Sequence, residues 1–159
     1  MGRRGRVFWQ KSRSPDFKNH GLNTYSPAGQ PPFMRFVSWN VNGIRAAIRK
    51  GIDGYFDSID ADVWMLQEVR CLPEQLPKGW TWPEGYDVHL HSAQKKGYSG
   101  VTTLSRLPIT STSTGMGGRI DENDTEGRII VSNHEGFTCI NTYLPSGSNK
   151  EERQAFKEG

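Results

Sequence analysis

Cysteine is scarce in this sequence: Cys71 and Cys139 are the only two in 159 residues, and they form no CxxC pair. This argues against a disulfide framework and a thiolate zinc site, and makes a reducing compartment the expectation. Long apolar runs are missing too. No stretch approaches the roughly 20 residues that cross a bilayer, and residues 1–33 contain no apolar core of a secretory signal. The expected protein is soluble and cytoplasmic, with no membrane partner. Signatures of several enzyme classes are also absent. The glycine-rich "GMGGR" at 115–119 lacks the Gly-Lys-Ser/Thr ending of a phosphate-binding loop. No GxSxG nucleophile motif occurs. His89 and His91 alternate on one strand-like stretch without a third ligand nearby, and neither His20 nor His134 is placed like a catalytic base.

Charge of one sign is confined to the start. The net charge is +3, yet residues 1–33 hold Arg3, Arg4, Arg6, Lys11, Arg13 and Lys18 against Asp16 alone. That surplus of five leaves residues 34–159 at −2. The body is therefore not a generally basic one, and any contact with a polyanion must come from local patches or from the leader. Rich in Gly, Pro, Ser and Asn and without apolar periodicity, residues 1–33 read as a disordered basic leader. A transit peptide, a phosphate-binding arm and a translation start at Met34 are the alternatives.

From Met34 the elements follow closely. "RFVSW" reads as a strand. Ile44, Ala47, Ile48, Ile52, Tyr55 and Phe56 recur at helical spacing, with Gly51 and Gly54 predicting two short helices rather than one. "VWMLQ" is a nearly continuous apolar run of the kind found in strands covered on both faces. A Pro-rich loop over 72–83 follows, and then "YDVHL", "VTTLS", "PITSTST", "RIIVSNH" and "FTCINTYL" read as strands, the last two joined by a hairpin at Glu135 and Gly136. "SNKEERQAF" opens a helix, with Ser148 and Glu151 spaced as a capping box. A helix after a strand series normally feeds further strands, so the sequence reads as interrupted.

Chemistry gathers at the strand ends. "DVWMLQEVR" sets Glu68 just past a buried strand, where a carboxylate must be solvated, paired or bound to a metal. Arg70 is a ready partner; a hard cation, which favours oxygen donors and one or two carboxylates, is the alternative. In "FVSWNVNGIRA", Asn40 and Asn42 suit a turn. If the helices cross over, Asn40 ends a strand parallel to the one before Glu68, and its amide reaches the same place. "KKGYSGV" places Lys95, Lys96 and Tyr98 on a glycine turn, "TEGRIIV" places Arg128 at a strand entrance, and "INTYLPSGS" ends a strand at Tyr143. Solvated lysines, a surface ion pair and amphipathic packing are their ordinary readings; phosphate contacts are the sharper one.

Taken in order, "SWNVNGIRA", "LQEVR", "KKGYSGV", "EGR" and "YLPSG" followed by "EERQ" resemble the exodeoxyribonuclease III family of apurinic/apyrimidinic endonucleases, most closely its bacterial branch. The likeness runs from about Met34 to Gly159. It implies a four-layer α/β sandwich, two packed mixed sheets flanked by helices, here incomplete. It also implies hydrolysis of DNA phosphodiesters at abasic sites and 3′ ends, with Mg²⁺, or alternatively Mn²⁺, as cofactor. The implied partner is double-stranded DNA, taken by a monomer. By the same likeness Asn40 and Glu68 belong to the metal site, Tyr143 touches the scissile phosphate, and Tyr98, Arg128, Arg70, Lys96 and Asn42 lie along the DNA. Arg70 stands where many relatives have lysine, and Ser146 where many have asparagine. By the same likeness the family's Asp-x-Asn segment and late Asp-His pair belong to a second half that this sequence is expected to lack. Residues 34–159 are thus expected to form an N-terminal lobe that is inactive alone. A superfamily phosphatase or phospholipid diesterase, and a non-catalytic DNA-binding fragment, are the competing expectations.

Overall fold

The computed structural model describes the backbone of residues 8–13 and residues 33–115 and 125–144 in full. The expected helix at 149–157, Ser146, His20 and most of "GMGGR" lie outside them. Among the described residues, ten helices and strands follow one another: β1 Phe8–Arg13, β2 Phe33–Asn40, α1 Ile44–Arg49, α2 Ile52–Ile59, β3 Val63–Gln67, β4 Asp87–His91, β5 Val101–Ser105, β6 Ile109–Thr114, β7 Ile129–His134 and β8 Phe137–Thr142. A 3₁₀ turn, Pro73–Gln75, interrupts the proline-rich loop.

Five strands form a mixed sheet in the order β1-β2-β3-β5-β4, and three form an antiparallel sheet in the order β6-β7-β8. β2 and β3 run parallel, with Asn40 opposite Gln67, as the two intervening helices require. The helical stretch breaks at Gly51, which takes a left-handed φ of 79°, whereas Gly54 stays inside α2. Both helices cover one face of the mixed sheet. Ile44, Ala47, Ile52 and Phe56 bury there with Val37, Trp64 and Leu66, and the Phe56 and Trp64 rings meet edge to face at 4.9 Å. Each large side chain so buried contributes roughly 1.5–3 kcal/mol.

The other face of the mixed sheet meets the three-stranded sheet. Phe36 of β2 packs edge to face on Phe137 of β8 at 5.7 Å, and β5, covered on both sides, is buried along its whole length. At the end of the sheet where β2 and β3 begin, Arg106 pairs with Asp60 and lies 4.6 Å over the Tyr86 ring. The Asp62 carboxylate there accepts the Arg35 backbone N–H at 2.6 Å.

One element departs from the sequence reading. Residues 1–33 were expected to carry no regular structure, yet Phe8–Arg13 pairs antiparallel with β2, from Phe8 opposite Ser38 to Arg13 opposite Phe33. "FWQKSR" shows no clean alternation; the strand exists because β2 otherwise presents an open edge of backbone donors and acceptors.

Candidate functional site

Strand directions decide where the candidate residues gather. Asn40 and Gln67 end parallel strands side by side, while Val101, which starts β5, lies opposite both Gln67 and His91. The segments 41–43, 68–72 and 92–100 therefore share one rim of the mixed sheet. The second sheet joins the same rim: the His91 ring nitrogen Nδ1 lies 3.1 Å from the Ile129 carbonyl, and the Tyr143 N–H donates to the Arg128 carbonyl at 2.9 Å. All eight residues singled out from the sequence lie on this rim.

At its centre, Asn40 Nδ2 donates to Glu68 Oε1 at 2.8 Å. Arg70 pairs with Oε2 of the same carboxylate. Asn40 Oδ1 in turn accepts the Asn42 backbone N–H at 3.0 Å, a side-chain-closed turn that fixes the Asn40 amide. The Tyr143 phenol is pushed up to about 12, first by burial and then by its hydrogen bond to the Glu68 carboxylate and that group's charge. Tyr98 lies near enough for its charge to add to the rise at Tyr143, with Lys95 Nζ 5.4 Å from the centre of the Tyr98 ring. Arg128 pairs with Glu126, and Lys96 is exposed on the 92–100 segment. Asn40, Asn42, Glu68, Arg70, Tyr98 and Tyr143 thus form or flank one cluster, with Arg128 joined to it through the backbone of Tyr143.

The backbone under this cluster is unusual. Asn42, Glu68, Arg70 and Ser99 take left-handed φ values of 49°, 53°, 51° and 44°. Such conformations cost L-residues roughly 1–2 kcal/mol each and persist where surrounding bonds dictate them. Those bonds are present. Gly43 and Ile44 N–H groups donate to the Glu68 and Val69 carbonyls at 2.7 and 2.9 Å, and Val69 and Arg70 donate to Gly100 and Ser99 at 3.0 and 2.8 Å. Segment 68–70 is laced between two neighbouring loops.

Three features of the rim escaped the sequence reading. Arg45 and Arg49, both exposed on α1, line with Arg70 an open pocket of about 400 Å³ beside the cluster; their spacing of four along one helix face was the available signal. Gly127 is fixed by contact: a Cβ there would lie 2.5 Å from the Ser92 carbonyl carbon and 2.6 Å from the His91 carbonyl oxygen, at a φ of +60°. Finally, Asn141, 1% exposed, accepts Gln67 Nε2 at 2.8 Å across the two sheets.

Two of the described histidines, His134 and His89, stand apart from the cluster. His134 lies at the opposite end of β7, stacked on Phe137, with Nδ1 3.0 Å from the Pro108 carbonyl. His89 faces Asp87 on its own strand. Among the described residues, no three of His, Cys, Asp and Glu converge as a ready metal cage.

Fold and rim together define a two-sheet α/β sandwich that carries a carboxylate–amide–phenol cluster next to a cationic pocket. Comparison with known proteins gives this class its name: residues 37–157 match the endonuclease/exonuclease/phosphatase family, and the chain belongs to it. Among curated relatives, an exodeoxyribonuclease of Bacillus subtilis is 36% identical over 121 residues, which cover 76% of this chain and 46% of that protein. A DNA-(apurinic or apyrimidinic site) endonuclease of Dictyostelium discoideum is 31% identical over 128 residues, 80% of this chain and 35% of its own length. The chain thus spans less than half the length of these relatives. Among solved structures, the 3′-5′ exonuclease NExo of Neisseria meningitidis superposes with a TM-score of 0.66 at 20% identity, over 79% of this chain and 48% of that one. That likeness establishes the shared fold.

Proposed function

We propose that this chain carries the phosphate- and metal-binding face of a DNA-repair nuclease that hydrolyses phosphodiesters at abasic sites and 3′ ends. The observation that carries this reading is the convergence of Asn40, Arg70 and Tyr143 on the single carboxylate of Glu68, beside a pocket lined by three arginines. The names of the relatives point the same way: the Bacillus protein is an exodeoxyribonuclease and the Dictyostelium protein an endonuclease at apurinic or apyrimidinic sites.

A divalent cation fits this donor set. Mg²⁺ takes oxygen ligands, typically one or two carboxylates together with waters and substrate phosphates. Glu68 supplies the carboxylate, and Asn40 Oδ1, which accepts one hydrogen bond, keeps a second lone pair. Mn²⁺ meets the same donors. When bound, the cation would neutralise charge on the phosphoryl oxygens.

The chain's own residues do the rest of the work. Tyr143, protonated at neutral pH, has a single O–H to donate, turned to Glu68 in the free chain and suited to a phosphoryl oxygen once one is bound. Arg70 and Arg128 hold the backbone on either side, and Tyr98 offers a ring face or a hydroxyl to it. Lys96 adds an exposed positive charge. Arg45 and Arg49 extend the cationic track along α1, where phosphates farther from the cut bind. Asn42 serves chiefly as the turn that orients Asn40.

No described group is placed to take a proton from water beside Glu68, so the cluster binds and polarises a phosphate without deprotonating the nucleophile. Residues 1–159 are therefore expected to bind an abasic-site duplex in Mg²⁺ while cutting it negligibly. The test is binding of that duplex by the purified chain, with an inositol polyphosphate as competitor. Tight, Mg²⁺-enhanced binding that the inositol compound fails to displace is the expected result. Displacement at micromolar concentration would favour a phosphatase, and efficient cleavage would overturn the assignment of the missing base.

A further inference from the structure

Asn141 is a buried amide in the seam between the two sheets. Its Nδ2 donates to the Thr102 carbonyl at 2.9 Å, with Thr103 Oγ1 at 3.2 Å and the Leu66 carbonyl at 3.4 Å. All of these groups belong to β3 and β5 of the opposite sheet. Carbonyls only accept, so the amide orientation is settled: nitrogen toward Thr102, oxygen toward Gln67. Gln67 is fixed independently. Its amino group has two protons, which the two nearest acceptors take, Asn141 Oδ1 at 2.8 Å and the Met65 carbonyl at 3.0 Å, with Ser38 Oγ beside them at 3.1 Å. Two amides, each oriented by the backbone beneath it, therefore meet donor to acceptor between the sheets.

Apolar packing between sheets is non-directional and tolerates sliding, whereas an amide pair holds only near 2.9 Å and in line. Gln67 immediately precedes Glu68, and Asn141 precedes by two Tyr143, the first residue past β8, so Asn141 and Tyr143 share the same side parity. The tie therefore joins the chain one residue before the carboxylate to the chain two residues before the phenol.

We propose that Gln67 and Asn141 are positioning residues, a buried inter-sheet tie that sets the Tyr143 hydroxyl against the Glu68 carboxylate. The inference rests on the reading of Glu68 and Tyr143 as one binding face. It adds what keeps that face in register, since the two residues arrive on different sheets and no backbone ladder joins β3 to β8.

The tie is tested in the full chain labelled with ¹³Cζ-tyrosine, the Tyr143 resonance being assigned with Tyr143→Phe and its unbonded position with Glu68→Met, which has no oxygen to accept the hydroxyl. Gln67→Met, close in size and unable to donate, is expected to move the resonance at least about halfway to the Glu68→Met position. Phe56→Leu, which destabilises the helix-covered face instead, is expected to leave it in place. A Gln67→Met resonance coincident with wild type, in a folded protein, would overturn the tie. Should that variant fold poorly, Gln67→Ala, which leaves room for water at Asn141, is judged by the same criterion. A parallel measurement uses Mn²⁺ alone, followed by electron paramagnetic resonance. Loss of an orienting neighbour is expected to weaken its binding about tenfold in Gln67→Met. A wild-type chain that bound no Mn²⁺ would count against the proposed function, while the resonance alone decides the tie.

Discussion

Asn40 donates to Glu68 across a gap of 2.8 Å from the ends of two parallel strands, one residue out of step in the ladder. The offset matters. Gln67, not Glu68, pairs with Asn40 in the sheet, so the carboxylate is the first group free of the ladder and curls back over the strand end on a left-handed backbone. It there collects three donors, from Asn40, Arg70 and Tyr143, while remaining at the rim.

Glu68→Gln should separate binding from folding. Without metal its stability is expected within about 1 kcal/mol of wild type, because the Arg70 pair is partly exposed and weak. Mg²⁺ at a hundred times its dissociation constant should stabilise the wild type by about 2.7 kcal/mol and Glu68→Gln hardly at all. Calorimetric melting with and without Mg²⁺ checks both halves; an equal shift in the two proteins would place the cation elsewhere.

Arg45 and Arg49 are expected to reveal themselves in salt. Each phosphate contact contributes about 0.9 to the slope of log affinity against log salt. Alanine at both positions should lower that slope by about 1.8 if each holds one phosphate, with the melting temperature unchanged because both side chains are exposed. Fluorescence anisotropy of a labelled duplex from 50 to 200 mM salt measures it.

Gly127→Ala is expected to be costly out of proportion to its size. The added methyl meets backbone, not a movable side chain, at 2.5–2.7 Å. Overpacking of this kind costs about 1–3 kcal/mol and a left-handed non-glycine residue a further 1–2. Urea unfolding should show a loss of about 2–5 kcal/mol; a neutral substitution would mean that the 92–94 turn yields freely.

Alkaline titration should single out Tyr143. Its phenol ionises at about 12 in the folded chain and near 10 when unfolded. Between these values the unfolded chain has lost a proton that the folded chain keeps, so stability falls as pH rises above about 10. Below that range this contribution is constant. Tyr143→Phe should therefore show a flatter decline than wild type between pH 9.5 and about 11.5 in denaturant midpoints. The raised Tyr86 phenol acts in both proteins and cancels in the comparison.

Much of this was legible in the residues themselves. Alternation and glycine placement gave the strands from β2 to β8, both helices and the Glu135–Gly136 hairpin. Asn40 and Glu68 stood out because polar groups at the end of apolar strands demand partners. What stayed hidden depends on which segments face each other across space. Nothing in "EGR" reveals that Gly127 lies against the backbone of Ser92, thirty-five positions earlier in the chain. Asn141 did leave a trace: along β8 it shares the inward parity of Cys139, while Ile140 points outward at 60% exposure. A polar residue on the core parity of a strand signals a buried partner, although its identity, Gln67, required the second sheet to be in place. Phe8–Arg13 left no pattern because its pairing is dictated by the edge of β2.

The left-handed backbone at 42, 68, 70 and 99 sets stability and chemistry against each other at named positions. Glycine would relieve each of them by about a kilocalorie per mole. A selection for heat resistance that ignored binding would therefore drift toward glycine at these four sites. It would return a hardier fold whose rim had lost the carboxylate and one arginine, while the turn that aims Asn40, closed by the backbone N–H of residue 42, would survive.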